Sequence, residues 1–578
     1  MTSSQQHPDV LIVGAGPTGL TLGIELARRG VPFRIVDREG ERTRTSRAIG
    51  TQARTVEVFR LMGIPESALE PAVRPRALRF AERDRTLARI SFGGDLPGVP
   101  RLISMDESDT ERVLEQRLER LGGRVEWSTL LLGFRVDRER VTATLQGPSG
   151  TSDLETRFVV GADGAHSTVR HEAGIGFAGA TYPERFLLVD LDLDWELPHD
   201  EGHIWIGDDG LVAAIPLSGE RRYRVIVPLP PAYAAKEYES EAAIATEAEI
   251  FLAQRTEVPL RRVGDPVWAS AFRIQRRQAD RYRSGPVFLA GDAAHVHSPV
   301  GGQGMNTGIQ DAFNLGWKLA LAARGQAAPG LLDTYQAERH PIAKGVLRGT
   351  HLGTRLFLTQ NPLMRAVREH AIPAIVNVPP VRHRILAAVS QLTISYRGSF
   401  LSVDADNRDE ARGWLRRVAG GLRAGERVPD GTLFDTRDSK PMALFDLISQ
   451  GWTLLIFPSN GATPETTGAL EQIAQQVRDA VGEAVNSYLV LDKSTRGGGA
   501  ESELLDPAGE VTNVFGARRG LVALVRPDGY LGYRGRLDQP GELVSYLARV
   551  FAMRLQEADT DPIRSANPAD APAVIEVP

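Results

Sequence analysis

Apolar and polar positions change period twice within the first forty residues. Val10-Leu-Ile-Val13 is a continuous apolar run, Gly14-Ala-Gly-Pro-Thr-Gly19 breaks it, and Leu20 to Arg29 follows helical spacing. A second short run, Pro32-Phe-Arg-Ile-Val36, stops at Asp37. This pattern predicts strand, tight turn, helix and strand, a βαβ unit in about thirty residues. From Glu184 to about Trp268 the period becomes two. Leu187-Leu-Val-Asp-Leu-Asp-Leu-Asp-Trp195 alternates apolar with acidic residues, His203 to Leu217 reads as two strands around an Asp-Asp-Gly turn, and Tyr223 to Leu229 as another. Such alternation predicts an antiparallel sheet with one solvated face. The buried-strand pattern returns in Pro286-Val-Phe-Leu-Ala-Gly-Asp292, followed by a helix from Met305 to about Arg324 and a helix-rich stretch from Thr334 to about Leu392. Gly421 to Gly431 reads as a linker. Beyond it, strand, helix, strand, hairpin and helix predict a separate small α/β domain, and the Pro-, Ala- and Asp-rich tail from about Gln556 predicts disorder.

Composition narrows the classes. A chain of 578 residues exceeds one ordinary core, and about 100–200 residues per domain predicts three or so domains. The 42% hydrophobic and 24% charged residues, with a net charge of -5, describe a globular protein without the basic surface that nucleic acid requires. Cysteine is absent, which removes disulfides, thiolate metal sites and cysteine nucleophiles and fits a cytoplasmic protein. The N-terminus has no basic n-region, and no apolar run approaches the roughly eighteen residues of a membrane span.

Three stretches carry candidate chemistry. In Gly14-Ala15-Gly16-Pro17-Thr18-Gly19 the glycines permit the turn and the close approach of a pyrophosphate, whose charge the helix N-terminus attracts. Asp37, eighteen residues past Gly19, is placed to accept from an adenosine ribose. Val159-Val-Gly-Ala-Asp163-Gly164-Ala-His-Ser167-Thr-Val-Arg170 is a strand ending in an Asp-Gly turn, which alone could be an ordinary Asx turn. In Gly291-Asp292-Ala-Ala-His295-Val-His297-Ser-Pro299-Val-Gly301-Gly302-Gln-Gly304-Met305-Asn306, a strand delivers Asp292 to its carboxyl end. The glycines then let backbone approach a flat group, and a helix N-terminus of about half a positive charge lies beyond. His295 and His297 lack further ligands at metal spacing, so they are assigned to hydrogen bonding and no metal is expected.

In this order and spacing the three motifs resemble the single-component FAD-dependent aromatic hydroxylases, the p-hydroxybenzoate hydroxylase-like flavoprotein monooxygenases. The cysteine-free C-terminal part resembles the thioredoxin-like domain of the subgroup that acts on phenols, aromatic polyketides and rifamycins. The resemblance implies an α/β protein with a Rossmann-like FAD-binding domain (1–75, 101–181 and 271–345) and an antiparallel-sheet substrate domain (76–100 and 182–270). A helical segment and linker (346–420) and a C-terminal thioredoxin-like α/β domain without CxxC (421–555) complete it, ahead of a disordered tail (556–578). It implies FAD as cofactor, NADPH or NADH as a transient co-substrate, O2, and hydroxylation of a phenolic or polycyclic aromatic substrate, as in antibiotic tailoring, through a flavin C4a-hydroperoxide. Baeyer-Villiger insertion or epoxidation by the same flavin remains open, as do, more remotely, a flavin reductase and a flavin-carrying binding protein. A homo-oligomer also stays open.

Carried over by position, Gly14, Gly16, Thr18 and Gly19 would meet the pyrophosphate, Asp37 the ribose and Arg38 the adenine end. Arg47 falls near the flavin and the nicotinamide passage. Asp163 matches the family's Asp-Gly aspartate, and Asp292 the ribityl contact. Pro299 lines the reactive face of the ring. Gly302, Gly304, Met305 and Asn306 bring backbone to the isoalloxazine. Glu107 stands where many relatives have glutamine, and Asp37 where many have glutamate. No acid–base residue is assigned. His203, Trp205, Tyr223 and Arg224 lie on strands of the substrate sheet and are weak candidates for substrate contact beside an ordinary buried role.

Overall fold

The computed structural model describes residues 7–42, 48–92, 102–138, 140–207, 210–233, 235–297, 302–358, 378–405, 421–459, 464–492 and 502–553. The predicted βαβ unit is present: strand Val10–Val13, helix Pro17–Arg28 and strand Phe33–Val36. Val10, Leu11 and Ile12 are fully buried because the strand is central, with Phe33–Val36 on one side and Phe158–Gly161 on the other, both parallel to it. Val287–Leu289 extends this parallel sheet beside Phe158–Gly161. Strands buried on both faces must be apolar throughout, which is why these segments read as continuous runs.

The antiparallel sheet takes strands from two parts of the chain. Ala77–Glu82 and Arg85–Ser91 form a hairpin that joins Glu201–Gly207, followed in order by Gly210–Pro216, Arg222–Pro228, Phe177–Asp194 and Trp268–Ala279. The boundaries expected at 181/182 and 270/271 fall inside these last two strands, whose pairing shifts register between Thr181 and Arg185, beside the first boundary.

The expected solvated face is not observed at the centre of this sheet. Residues Phe186 to Leu191 are all buried, including Asp190. Leu187, Val189 and Leu191 pack with Val225, Val227 and the helix Glu241–Arg255. Phe186 and Leu188 pack with Trp268 on the opposite face. The alternation arises because Asp190 is buried opposite Arg224 rather than hydrated: Arg224 Nε and Nη2 donate to its two oxygens at 2.6 Å each.

The C-terminal strands run in the order Leu531–Gly535, Arg519–Val525, Trp452–Ser459, Val485–Leu491, with Trp452–Ser459 and Val485–Leu491 parallel and the other two pairings antiparallel. Helices Pro464–Val481 and Pro540–Leu547 accompany them. The segment read as a linker is instead fastened to this sheet. Val428 N donates to Gly529 O and Gly425 N to Leu531 O, and Val428 is fully buried. The expected disordered tail lies outside the described residues. Among the described residues no helix is long and apolar enough to cross a membrane.

Helix Gly304–Ala323 is the centre of the molecule: every residue from Asn306 to Ala322 is buried. It packs on Pro17–Arg28, and its far end meets the C-terminal sheet through buried charges. Glu338 receives Arg526 through both oxygens at 2.6 and 2.9 Å, and Lys318 Nζ at 2.8 Å. Asp528 receives Arg526, Trp317 Nε1 and Asn314 Nδ2. All six side chains are essentially inaccessible. Breaking such a pair leaves the partner charge buried, which costs about 3–5 kcal/mol. Glu338→Ala is therefore expected to lower the urea and thermal unfolding midpoints strongly, whereas Glu471→Ala on the exposed face of Pro464–Val481 should change them little.

Candidate functional site

The three motifs stand at the carboxyl ends of three adjacent strands. Val10–Val13 leads into Gly14, Phe158–Gly161 into Ala162-Asp163, and Val287–Leu289 into Ala290-Gly291-Asp292. They touch directly. Gly14 has φ +105°, and a Cβ there would overlap the Ala162 carbonyl, so the first motif lies against the second. Arg170 Nη1 donates to Ala293 O at 3.0 Å, joining the second to the third. Thr18 closes the ring: a Cβ on Gly291 would lie 2.5 Å from Thr18 Oγ1, and one on Gly308 would overlap the same atom. Thr18 thus seats between the third motif and the central helix, a packing role that its expected pyrophosphate contact did not include.

Around this junction the expected residues divide by what already engages them. Asp37 accepts from Ala15 N (2.7 Å) and Glu39 N (2.9 Å), so its carboxylate braces the glycine turn. Arg38 is exposed and pairs with Glu39. Gly16 caps the helix Pro17–Arg28 in extended conformation, with Pro17 at the first helical position, where no amide hydrogen is needed. Asp163 accepts from Val169 N at 3.1 Å. Burial pushes its carboxyl upward, against the hydrogen bonds from Ser167 and Val169. Gly291, Ala293 and Ala294 are buried while Asp292 between them is exposed, at the strand end where ligands of such sheets bind.

Gly304, Met305 and Asn306 open the central helix, whose first amides have no partner within the helix. The Asn306 side chain is a clip: Oδ1 accepts from Gln52 N (2.8 Å), and Nδ2 donates to Gly50 O and Gly302 O (2.7 Å each). It holds strand Gly50–Thr51 and Gly302, at φ +59°, beside the helix start. Glu107, the first residue of helix Glu107–Arg120, accepts from Ala48 N at 3.2 Å. Arg47, Pro299 and Gly301 lie outside the described residues.

Of the two histidines, His295 is hydrogen-bonded, whereas His297 Nε2 is buried without a hydrogen-bond partner. His295 Nε2 is 2.6 Å from Asp311 Oδ2, and Asp311 also receives Arg339 Nε at 2.6 Å and Gly291 N at 3.2 Å. Burial alone would raise Asp311, but Arg339 and His295 hold it below the usual carboxylate range. His297 stacks on His295, and burial beside that ring brings it down to about 3, so it is neutral. Among the described residues no group of three or more metal-ligating side chains occurs.

Two features were missed at the sequence level. Glu111 is buried with its carboxylate facing the glycine turn, 3.9 Å from where a Cβ on Gly16 would stand. Burial, then Glu107, Asp37 and Glu115, push it up to about 8 against the pull of Arg42. Asp311 is the other, as the common anchor of Gly291 and His295. Both sit on helices at positions that read as an ordinary polar face.

The substrate candidates need correcting. Register pairs His203 with Ala214 and Trp205 with Val212, and Tyr223 alternates with Val225 on the same side. Trp205 and Tyr223 belong to the core beneath Glu241–Arg255. His203 stacks on Trp205 there, and burial lowers it. These three rings face away from the dinucleotide-binding region. Arg224 alone points toward it, on the face of Phe186, Leu188 and Trp268.

A cradle of adjacent strand ends, two helix N-termini and bare glycine backbone fits an elongated anionic dinucleotide with a flat ring. Residues 7–350 match the family model described as FAD binding domain. The chain is 35% identical over 571 residues to 6-methylpretetramide 4-monooxygenase of Streptomyces rimosus, covering 97% of this chain and 96% of that one. It is also 35% identical to pentachlorophenol 4-monooxygenase of Sphingobium chlorophenolicum, covering 93% and 95%. The structure of aklavinone-11 hydroxylase with FAD and aklavinone superposes with a TM-score of 0.74 at 28% identity, covering 95% and 99%. The chain belongs to this FAD-binding-domain family and is an FAD-dependent aromatic monooxygenase.

Proposed function

We propose that the protein hydroxylates a phenolic or polycyclic aromatic compound of the antibiotic-polyketide type, in the cytoplasm, with NADPH or NADH and O2 as co-substrates. The observation that carries this reading is the meeting of all three motifs at one junction, opposite an apolar sheet face of Phe186, Leu188, Trp268 and Ile274. Relatives named for 6-methylpretetramide and anhydrotetracycline support the polyketide class, and one named for pentachlorophenol supports the phenolic class.

FAD, when bound, would supply the redox chemistry that links the nicotinamide to O2. The chain's own residues bind and orient it. Gly16 and the start of Pro17–Arg28 would meet the pyrophosphate, Asp37 the ribose and exposed Asp292 the ribityl chain. Amides of Met305 and Asn306 would face the ring edge that becomes negative on reduction, where a helix N-terminus favours anionic charge. Neutral Glu111 beside the pyrophosphate would donate a hydrogen bond from its carboxyl O–H rather than repel. Arg47 and Pro299 keep the roles implied by family position, at the nicotinamide passage and the reactive face. The order Leu531–Gly535, Arg519–Val525, Trp452–Ser459, Val485–Leu491 supports reading the C-terminal unit as thioredoxin-like, and with no cysteine in the chain it would act by holding the central helix.

Three outcomes test this. Turnover of a panel of phenols, naphthacenes and rifamycins under labelled O2 should show substrate-stimulated NADPH oxidation and one labelled oxygen in the product; stimulation without label would mean oxidase chemistry instead. FAD affinity, followed by flavin fluorescence, should fall as pH rises above about 8 as Glu111 ionises against the pyrophosphate, by up to roughly tenfold per pH unit. Glu111→Gln should flatten that dependence. Gly308→Ala forces a methyl onto Thr18 Oγ1, costing about 1–3 kcal/mol and some bound FAD; adding Thr18→Ala should recover part of both.

A further inference from the structure

The sheet face turned toward the flavin domain ends in a charged corner that the assignments above leave unused. Arg224 is fully buried, locked to Asp190 through Nε and Nη2, with its guanidinium carbon 5.1 Å above the Trp268 ring. Its remaining nitrogen, Nη1, is buried without a hydrogen-bond partner. Asp106 stands opposite. Its Oδ1 is 3.7 Å from Arg224 Nη2, in ion-pair range but beyond a hydrogen bond, and is likewise buried without a hydrogen-bond partner. An unpartnered donor thus lies on the same guanidinium that faces an unpartnered acceptor, a costly arrangement unless a ligand completes it.

Placement says which ligand. Asp106 follows strand Ile103–Ser104, which pairs with Gly50–Thr51, the strand that Asn306 clips to the start of the central helix. It therefore lies between the flavin cradle and the sheet. On the Arg224 side the face continues as Phe186, Leu188, Trp268 and the partly uncovered Ile226 and Phe272, an apolar surface suited to a flat ring. The charged groups around Asp106 are Asp190, Arg224 and Arg222 on the sheet and Asp109 on its own helix; burial first, then Asp190, pushes its carboxyl up to about 6.

We propose that Asp106 accepts the phenolic proton of the aromatic substrate while Arg224 Nη1 donates to the oxygen left behind; the inference rests on the hydroxylase reading above. The phenol O–H bond breaks, the proton joins Asp106 Oδ1, and the electron pair stays on the phenolic oxygen, enriching the ring for attack by an electrophilic oxygen. No oxidation state changes. One negative charge moves from carboxylate to phenolate, so the corner keeps its net charge and Arg224 keeps an anionic neighbour.

The test compares FAD-loaded wild type with Asp106→Asn, measuring kcat/KM against pH. Wild type should lose rate on the acid side with a midpoint near pH 6. The variant should lack that limb and be at least about 100-fold slower on an ordinary phenol, the usual worth of a positioned base. A polyfluorinated phenol already ionised at the assay pH should restore most of the variant's rate, which a merely structural aspartate would not do. Independently of any variant, 4-nitrophenol bound to wild type about one pH unit below its own ionisation should show phenolate absorption. Binding as the neutral phenol, an unchanged Asp106→Asn profile, or a loss that ionised phenols do not restore would each overturn the assignment. Wild type that hydroxylates no member of the panel would instead overturn the functional reading and this inference together.

Discussion

One constraint organises the molecule: the helix Gly304–Ala323 is buried along nearly its whole length while carrying six polar side chains. Each buried polar group left unpaired costs about 1–3 kcal/mol, so the helix needs partners for nearly all of them at once, and of its described side-chain polar atoms only Gln310 Oε1 is buried without one. Asn306 is met by Gly50, Gln52 and Gly302, Gln310 by Gln391, and Asp311 by His295, Arg339 and Gly291. Asn314 and Lys318 are met by Glu338. These partners come from five separate stretches of chain. Satisfying them fixes where the helix begins, and with it the free amides at the junction of the three motifs.

The C-terminal domain enters the same account. Arg526 and Asp528 flank the turn between two of its strands and reach into the cluster at Glu338, while Arg54 Nη2 donates to the Asp528 carbonyl at 2.7 Å. Buried ion pairs of this kind are seldom the most stabilising filling for a core; their distinctive effect is to reject any other register. The C-terminal domain thus holds the far end of the helix whose near end lies at the junction of the three motifs.

The antiparallel sheet divides its labour by face. Beneath Glu241–Arg255 it is a closed core of Trp205, Tyr223 and aliphatic residues. On the other side lies a smaller apolar cluster of Phe186, Leu188, Trp268 and Ile274 beside Arg224 and Asp190, with Tyr182 near His351 of helix Asp333–Leu358 at one margin. Apolar area gives a flat substrate its affinity, and a few buried polar groups give it orientation.

Much of this was legible in the residues alone. Val10–Val13, Phe158–Gly161 and Val287–Leu289 announce themselves as apolar runs because both faces of a parallel sheet are covered, and the glycines and aspartates after them mark strand ends because few other residues tolerate those turns. Local sequence therefore determined the dinucleotide-binding unit, its three motifs and the central helix. The facing of His203, Trp205 and Tyr223, the burial of Asp190, the anchoring of Val428 and the identity of Asp106 and Glu111 as perturbed carboxyls were decided only by tertiary structure. Period-two alternation says that residues take opposite faces without saying which face meets solvent. A carboxyl's proton affinity depends on neighbours brought from distant parts of the chain, and these no local pattern records.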